Sequence, residues 1–135
     1  MRTRAVLTDE DVIRVADAAV AHARSNEWNV TIAIVDDGGH LLYVRRLDSA
    51  PPITAEIAVA KARTASLGRR ESKVYEEVIK QGRTAFLSAP LTGMLEGGVP
   101  VIVKGDVIGA VGVSGVKSDQ DAAIARAGIA ALGAE

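Results

Sequence analysis

Several ionisable side chains of this sequence sit inside stretches otherwise built from Ala and Gly. Lys61 ends the run Glu56-Ile57-Ala58-Val59-Ala60-Lys61, Glu96 precedes Gly97-Gly98, and Asp121 follows Ser118-Asp119-Gln120. A lysine on a helix face of Ala and Ile is partly desolvated, which disfavours its charged form and suits it to act as a base or an anion anchor. A lysine that snorkels its ammonium out to water is the plainer use of the same position. Glu56, Glu96 and Asp121 are the carboxylates that could exchange protons with it. Glu56 and Lys61 stand roughly 140° apart around a helix, so they are not an i,i+4 pair. Arg45 and Arg83 are available to hold a substrate carboxylate.

Other chemistries find less support. The chain has no cysteine, which removes thiolate nucleophiles, zinc–thiolate sites, iron–sulfur clusters and disulfides. Its two histidines, His22 and His40, show no paired-ligand or HExxH spacing, so no metal site is expected. His22 falls at the edge of a helical apolar stripe, where it is either a surface residue or an iron ligand. His40 lies in a turn. Ser114 sits in Gly112-Val113-Ser114-Gly115 without the second flanking glycine of a nucleophile elbow. Gly97, Gly98, Gly112 and Ser114 therefore read as places where backbone and ligand, or backbone and helix, come close. No P-loop or dinucleotide fingerprint is present.

The elements that must position these residues can be read in turn. Thr8-Asp9-Glu10-Asp11 is a capping-box pattern opening a helix that ends near Ser25-Asn26. Residues 28–35 are β-branched and roughly alternating, Asp36 to His40 form a hairpin turn, and residues 41–46 return as a strand. Thr54 is the expected N-cap of a slim, alanine-rich helix over 54–68, stopped by Gly68. Ser72 starts another helix, with Val74, Val78 and Ile79 facing inward, ending near Gly82. Residues 84–98 are an irregular stretch long enough to be a functional loop, or to conceal a short strand. Residues 99–103 and 107–113 form a second hairpin. Ser118 is expected to cap the last helix, in which Gly128 implies a close helix contact. Hairpin connections predict a mainly antiparallel sheet, and apolar residues on both faces of the second hairpin predict cover on both sides. The result is an α+β domain spanning 1–135, arranged as a three-layer α/β/α sandwich.

Composition narrows the partners. Lys plus Arg is 16 and Asp plus Glu is 17 in 135 residues, so the basic excess of a phosphate-neutralising nucleic-acid binder is missing. Trp28, Tyr43, Tyr75 and Phe86 are the only aromatics, too few for a base-stacking platform. No run approaches the ~20 apolar residues of a membrane span, and no signal core precedes the first helix. A soluble cytoplasmic protein is expected. Basic residues concentrate between Lys61 and Arg83, a stretch suited to an anionic ligand or a neighbouring subunit.

Taken in register, Asn29 to Gly39, Glu56-Ile57-Ala58 with Lys61-Ala62, Glu96 to Pro100, Gly109 to Gly115, Gln120-Asp121 and Ala125 to Gly128 resemble the GlcG/HbpS family. That family is also known as a haem-degrading domain and as the C-terminal domain of PduO-type proteins. The resemblance covers roughly residues 7–133. It implies a profilin-like fold with a five-stranded antiparallel sheet and homo-oligomers, dimers assembling into octamers. It also implies haem or a related tetrapyrrole as the ligand of some members, with a first-helix histidine, here His22, as ligand. Tyr43, Tyr75 and Met94 are further residues able to bind iron. With so few bulky residues in one chain, a haem site shared between subunits is easier to build. Two functions follow as expectations. One is a small-ligand-binding protein, accessory to a catabolic or stress pathway. The other is a cofactor-free isomerase, lyase or hydrolase acting on a small carboxylate-bearing or oxidised metabolite.

Overall fold

In the computed structural model, which describes residues 1–133, the chain opens with an extended arm and helix α1 (Asp9–Ser25). The predicted capping box is present. The Asp11 amide donates to Thr8 Oγ1 at 3.2 Å, and the Thr8 amide donates to Asp11 Oδ2 at 3.0 Å. Strands β1 (Thr31–Asp36) and β2 (Leu41–Arg46) follow as a hairpin. Asp36 Oδ1 accepts from the Gly38 and His40 amides, both at 2.9 Å, the turn chemistry expected of an aspartate there. Next come α2 (Ile53–Gly68), α3 (Ser72–Lys80), a short 3-10 helix (Thr84–Ser88), β3 (Gly98–Val103), β4 (Asp106–Ser114) and α4 (Ser118–Ala130).

The strands form one antiparallel sheet in the order β2-β1-β4-β3. It has four strands rather than the five that the resemblance implied. Residues 84–97 add no strand, because the 3-10 helix and a following irregular loop occupy them.

Alternation along β1 divides the core. Ile32 and Ile34 point to the face covered by α1 and α4, where Val99, Val101, Val111 and Val113 join them. Ala33 and Val35 point to the face covered by α2, against Ala58, Ala62 and Ala65. The three-layer arrangement thus stands, with one thick apolar layer and one thin one. The thin layer depends on Gly112, where a Cβ would come within 2.1 Å of the Ala58 carbonyl oxygen. Glycine here admits a helix, not a ligand. Gly128 does the same between α4 and α1: a Cβ would lie 2.9 Å from the Val15 carbonyl and 3.1 Å from Ala19 Cβ.

Local signals misled in four places. Thr54 does not cap α2; the cap position falls on Pro52. The Thr54 hydroxyl is buried, 2.6 Å from the Pro51 carbonyl and 2.8 Å from Thr31 Oγ1, so tertiary contact with β1 claims it. Gly68 is the last helical residue, and Arg69 takes the left-handed turn at φ 59°. Gly68 is required for another reason: a Cβ would sit 2.0 Å from the Tyr75 hydroxyl. Ser118 is the first residue of α4 rather than its cap; Gln120 Oε1 there accepts from the Lys117 amide at 3.3 Å. On α3, Val74, Val78 and Ile79 are only half-buried, and Ser72 and Tyr75 take the buried positions. Among the described residues no helix is long and apolar enough to cross a membrane.

Candidate functional site

Lys61 lies in mid-helix on α2 and extends past the end of β4. Its Nζ donates to the Val113 carbonyl at 3.0 Å and to Asp121 Oδ2 at 3.1 Å. The two side chains are 4% and 3% exposed, so this is a buried ion pair joining the layers on opposite faces of the sheet. Asp121 stands in the first turn of α4, and its Oδ1 accepts from the Val116 amide at 3.1 Å. Burial holds its carboxyl above the usual carboxylate range, against the pull of Lys61 and the Val116 amide.

The Gly97-Gly98 pair closes over this bond. At Gly97, with φ 133°, a Cβ would fall 2.8 Å from both Lys61 Nζ and the Val113 carbonyl. At Gly98 it would fall 2.2 Å from the Lys61 carbonyl and 2.9 Å from Ser72 Oγ. Ser72 begins α3, accepts from the Gly98 amide at 2.8 Å and donates to the Leu95 carbonyl at 2.5 Å. One turn on, Glu76 Oε1 accepts from the Glu96 amide at 2.7 Å, and Glu76 Oε2 lies 2.8 Å from Lys80 Nζ. Lys80 and the Glu96 amide hold the Glu76 carboxyl below its ordinary range.

The fold therefore brings together Lys61, Asp121, Glu96, Gly97 and Gly98, which lie far apart in the chain. Ser114 adjoins them at the buried end of β4, and Gly112 lies beneath α2. The other candidates stand apart. Glu56 is on the outer face of α2, and Arg45 is exposed on β2. Arg83 is exposed after α3, its guanidinium 5.3 Å from the Phe86 ring centre. His22 is half-buried in the last turn of α1, its ring 6.1 Å from that of Trp28.

Beyond Glu76 the surface opens into a groove of about 440 Å³. Its walls are Ile79 of α3, Leu87 of the 3-10 helix, and Leu91, Met94 and Leu95 of the loop before β3, with Glu76 and Lys80 at the polar end. The size is that of an ordinary small-molecule pocket. Sequence reading did not single out Ser72 or Glu76 as site residues; it placed Lys80 only within the basic stretch, and it allowed residues 84–98, which supply Leu87, Leu91, Met94 and Leu95, to be a functional loop. The i,i+4 spacing of Glu76 and Lys80 was a visible signal for an ion pair, and the length of the irregular 84–98 stretch was the one local sign of a functional loop, without showing what it would pack against. Among the described residues no three His, Asp or Glu side chains gather as a metal site. Met94, whose thioether is a type of iron ligand, is among the residues lining the groove, and no residue of α1 lines it.

The basic segment is mostly spent within the chain. Arg63 donates to the Gly39 carbonyl at 2.7 Å, and Arg69 to the Asp37 carbonyl at 2.5 Å, pinning the β1–β2 hairpin. The Arg70 guanidinium lies 5.9 Å from the Tyr75 ring centre.

A four-stranded antiparallel sheet between helical layers, with a ligand-sized apolar groove, defines a small α+β domain class. Within that class the chain belongs to the family described as haem degrading protein HbpS-like, whose model matches residues 7–130. It is 54% identical over 114 residues to protein GlcG of Escherichia coli K12, covering 84% of this chain and 85% of GlcG. The crystal structure of HbpS superposes with a TM-score of 0.87 at 34% identity, over 98% of this chain and 94% of HbpS. A crystal structure of a PduOC–heme complex superposes equally well, TM-score 0.87 at 27% identity, over 97% of this chain and 98% of the other.

Proposed function

We propose that this chain is a small-ligand-binding protein whose groove takes a flat, mostly apolar molecule with an anionic rim, haem or a related tetrapyrrole being the class. The observation that carries this reading is the groove itself. It has apolar walls on three segments, Met94 among its lining residues, and the paired Glu76 and Lys80 at its polar end. Such a combination matches a ligand that buries a broad apolar face and leaves carboxylates at the edge. The heme in the related PduOC complex supports the same class.

The acid–base enzyme is the weaker reading. Lys61 and Asp121 neutralise one another out of contact with water, so neither is placed to take a proton from a substrate. Among the described residues Glu96 forms no ion pair.

Titration of the purified protein with hemin tests the proposal. A red-shifted Soret band should develop with unit stoichiometry per groove, and Leu91→Glu should abolish it. Met94→Leu should shift the band if the groove supplies the iron ligand; His22→Ala should shift it if the ligand comes from α1, in which case a second subunit must bring it. No Soret change at micromolar protein, or binding untouched by Leu91→Glu, would sink the groove reading.

A further inference from the structure

One wall of the groove is held differently from the others. The chain leaves α3 at Gly82 and runs through the 3-10 helix Thr84–Ser88 to Leu91. It brings two apolar side chains to the groove, Leu87 and Leu91. No residue of the 3-10 helix is buried, and Leu87 is 62% exposed. The hydrogen bonds of the segment stay within it and the end of α3. The amides of Arg83, Phe86, Ala89 and Leu91 donate to the carbonyls of Val78, Arg83, Phe86 and Ala89 in turn, and the Ser88 hydroxyl donates to the Ala85 carbonyl at 2.8 Å. Among the described residues no hydrogen bond joins residues 83–91 to the sheet, α1, α2 or α4.

The two ends of this segment contrast. At Gly82 the chain turns with φ 108°, and a Cβ there would meet nothing within 4 Å. Open space around a glycine in that conformation leaves the backbone room to rotate. Beyond Leu91 the chain is fixed to α2 and α3. The Thr92 carbonyl accepts from the Thr64 hydroxyl. At Gly93 a Cβ would lie 2.7 Å from the Ala60 carbonyl carbon, so the backbone rests directly on α2. The Leu95 carbonyl accepts from Ser72 at 2.5 Å. Between the ends the holding contact is aromatic. The Phe86 ring centre lies 5.3 Å from that of Tyr75, and the Arg83 guanidinium stands 5.3 Å from the Phe86 ring centre. Tyr75 is a fixed post: it is buried, and its hydroxyl fills the niche at Gly68.

We propose that residues 83–91 form a hinged wall that swings between Gly82 and Leu91 to open and close the groove, with Phe86 on Tyr75 as its latch. One aromatic contact and a few local hydrogen bonds can be broken without unfolding the sheet and its helices. An apolar ligand in the groove favours the closed position, because Leu87 then covers it and leaves water. Phe86 does not line the groove. It is a positioning residue, acting through the place it gives Leu87 and Leu91. The gating of a ligand rests on the groove being the binding site, as proposed above; the hinge and its latch are measured without any ligand.

Amide hydrogen exchange of the full chain, read by mass spectrometry, tests the wall. Without ligand, peptides from 83–91 should exchange at least about 100-fold faster than those from α2 and β4. Phe86→Ala should speed exchange in 83–91 by a further factor of about ten or more and leave α2 and β4 unchanged. Phe86→Tyr, which keeps the ring, should restore the wild-type rates. Hemin is the probe for closure: where a Soret band shows it bound, exchange in 83–91 should slow by at least about tenfold. The absence of a Soret band would sink the haem reading, and the unliganded rates would still decide the hinge. A segment 83–91 as protected as α2, a Phe86→Ala variant with wild-type rates in 83–91 or with the whole fold loosened equally, or bound hemin without slowing there would each overturn the proposal.

Discussion

A lysine ammonium withdrawn from water at position 61 is tolerated because a carboxylate and a carbonyl meet it there. Removing one partner is far worse than removing both. Lys61→Met should cost about 3–5 kcal/mol by denaturant unfolding at pH 7, while Lys61→Met with Asp121→Asn should recover most of it and keep the acceptor for Val116. The pH dependence has a definite sign. Burial already raises the Asp121 carboxyl, and loss of the cation raises it further. A carboxyl whose folded value lies above its unfolded value, ~3.9, imposes no penalty below both. The penalty builds as pH rises between them and is complete above the folded value. The single variant should therefore regain stability relative to wild type as the pH is lowered from 7 towards 4; a pH-independent deficit would contradict this account. Gly98→Ala belongs to the same scale. Its Cβ would press on the Lys61 carbonyl at 2.2 Å, so a loss of about 1–3 kcal/mol or more is expected in thermal or denaturant melts.

At the scale of elements, α1 is held at its start by the capping box and at its middle by α4. The Thr8 amide, then the Thr8 hydroxyl, holds the Asp11 carboxyl below its ordinary value. A carboxyl depressed on folding contributes stability that is present above its unfolded value and lost as pH falls through the folded one. Asp11→Asn should therefore be less stable than wild type at neutral pH and should converge with it near pH 2; parallel curves down to that pH would count against the box. Gly128→Ala sets two effects against each other. Alanine gains about 1 kcal/mol of helix propensity, but its Cβ would lie 2.9 Å from the Val15 carbonyl. A backbone oxygen on a packed helix cannot step aside cheaply, so the variant should melt lower than wild type. The basic segment makes a related point about elements: arginines 63 and 69 are fasteners for the β1–β2 hairpin, which is why their local charge excess does not translate into an open anion site.

For the molecule as a whole, the groove beside α3 is a surface open to a partner. A ligand that binds only the folded state raises its melting temperature by mass action. Hemin at saturating concentration should raise the melting temperature of the wild type and not that of Leu91→Glu. A wild-type melting temperature independent of hemin would leave the groove without this ligand.

The sequence alone determined whatever depends on neighbours within a few residues. Thr8 and Asp11 meet across one turn, the hairpin glycines allow the positive φ of a tight turn, and alternation along residues 31–35 assigns side chains to faces. These are short-range effects, and they located the four α-helices and four strands of the described residues, but not the 3-10 helix Thr84–Ser88. Lys61, Asp121 and the Gly97-Gly98 pair could be singled out as odd residues in bland surroundings, though not as one buried cluster. Only the tertiary structure decided that, because Lys61 and Asp121 are 60 positions apart and their meeting depends on how α2 and α4 lie on the sheet. It likewise decided that Thr54 faces β1 instead of capping α2, and that a groove opens between α3 and a loop with no periodicity of its own. Contacts between distant segments are set by the packing of whole faces, and no local pattern encodes them.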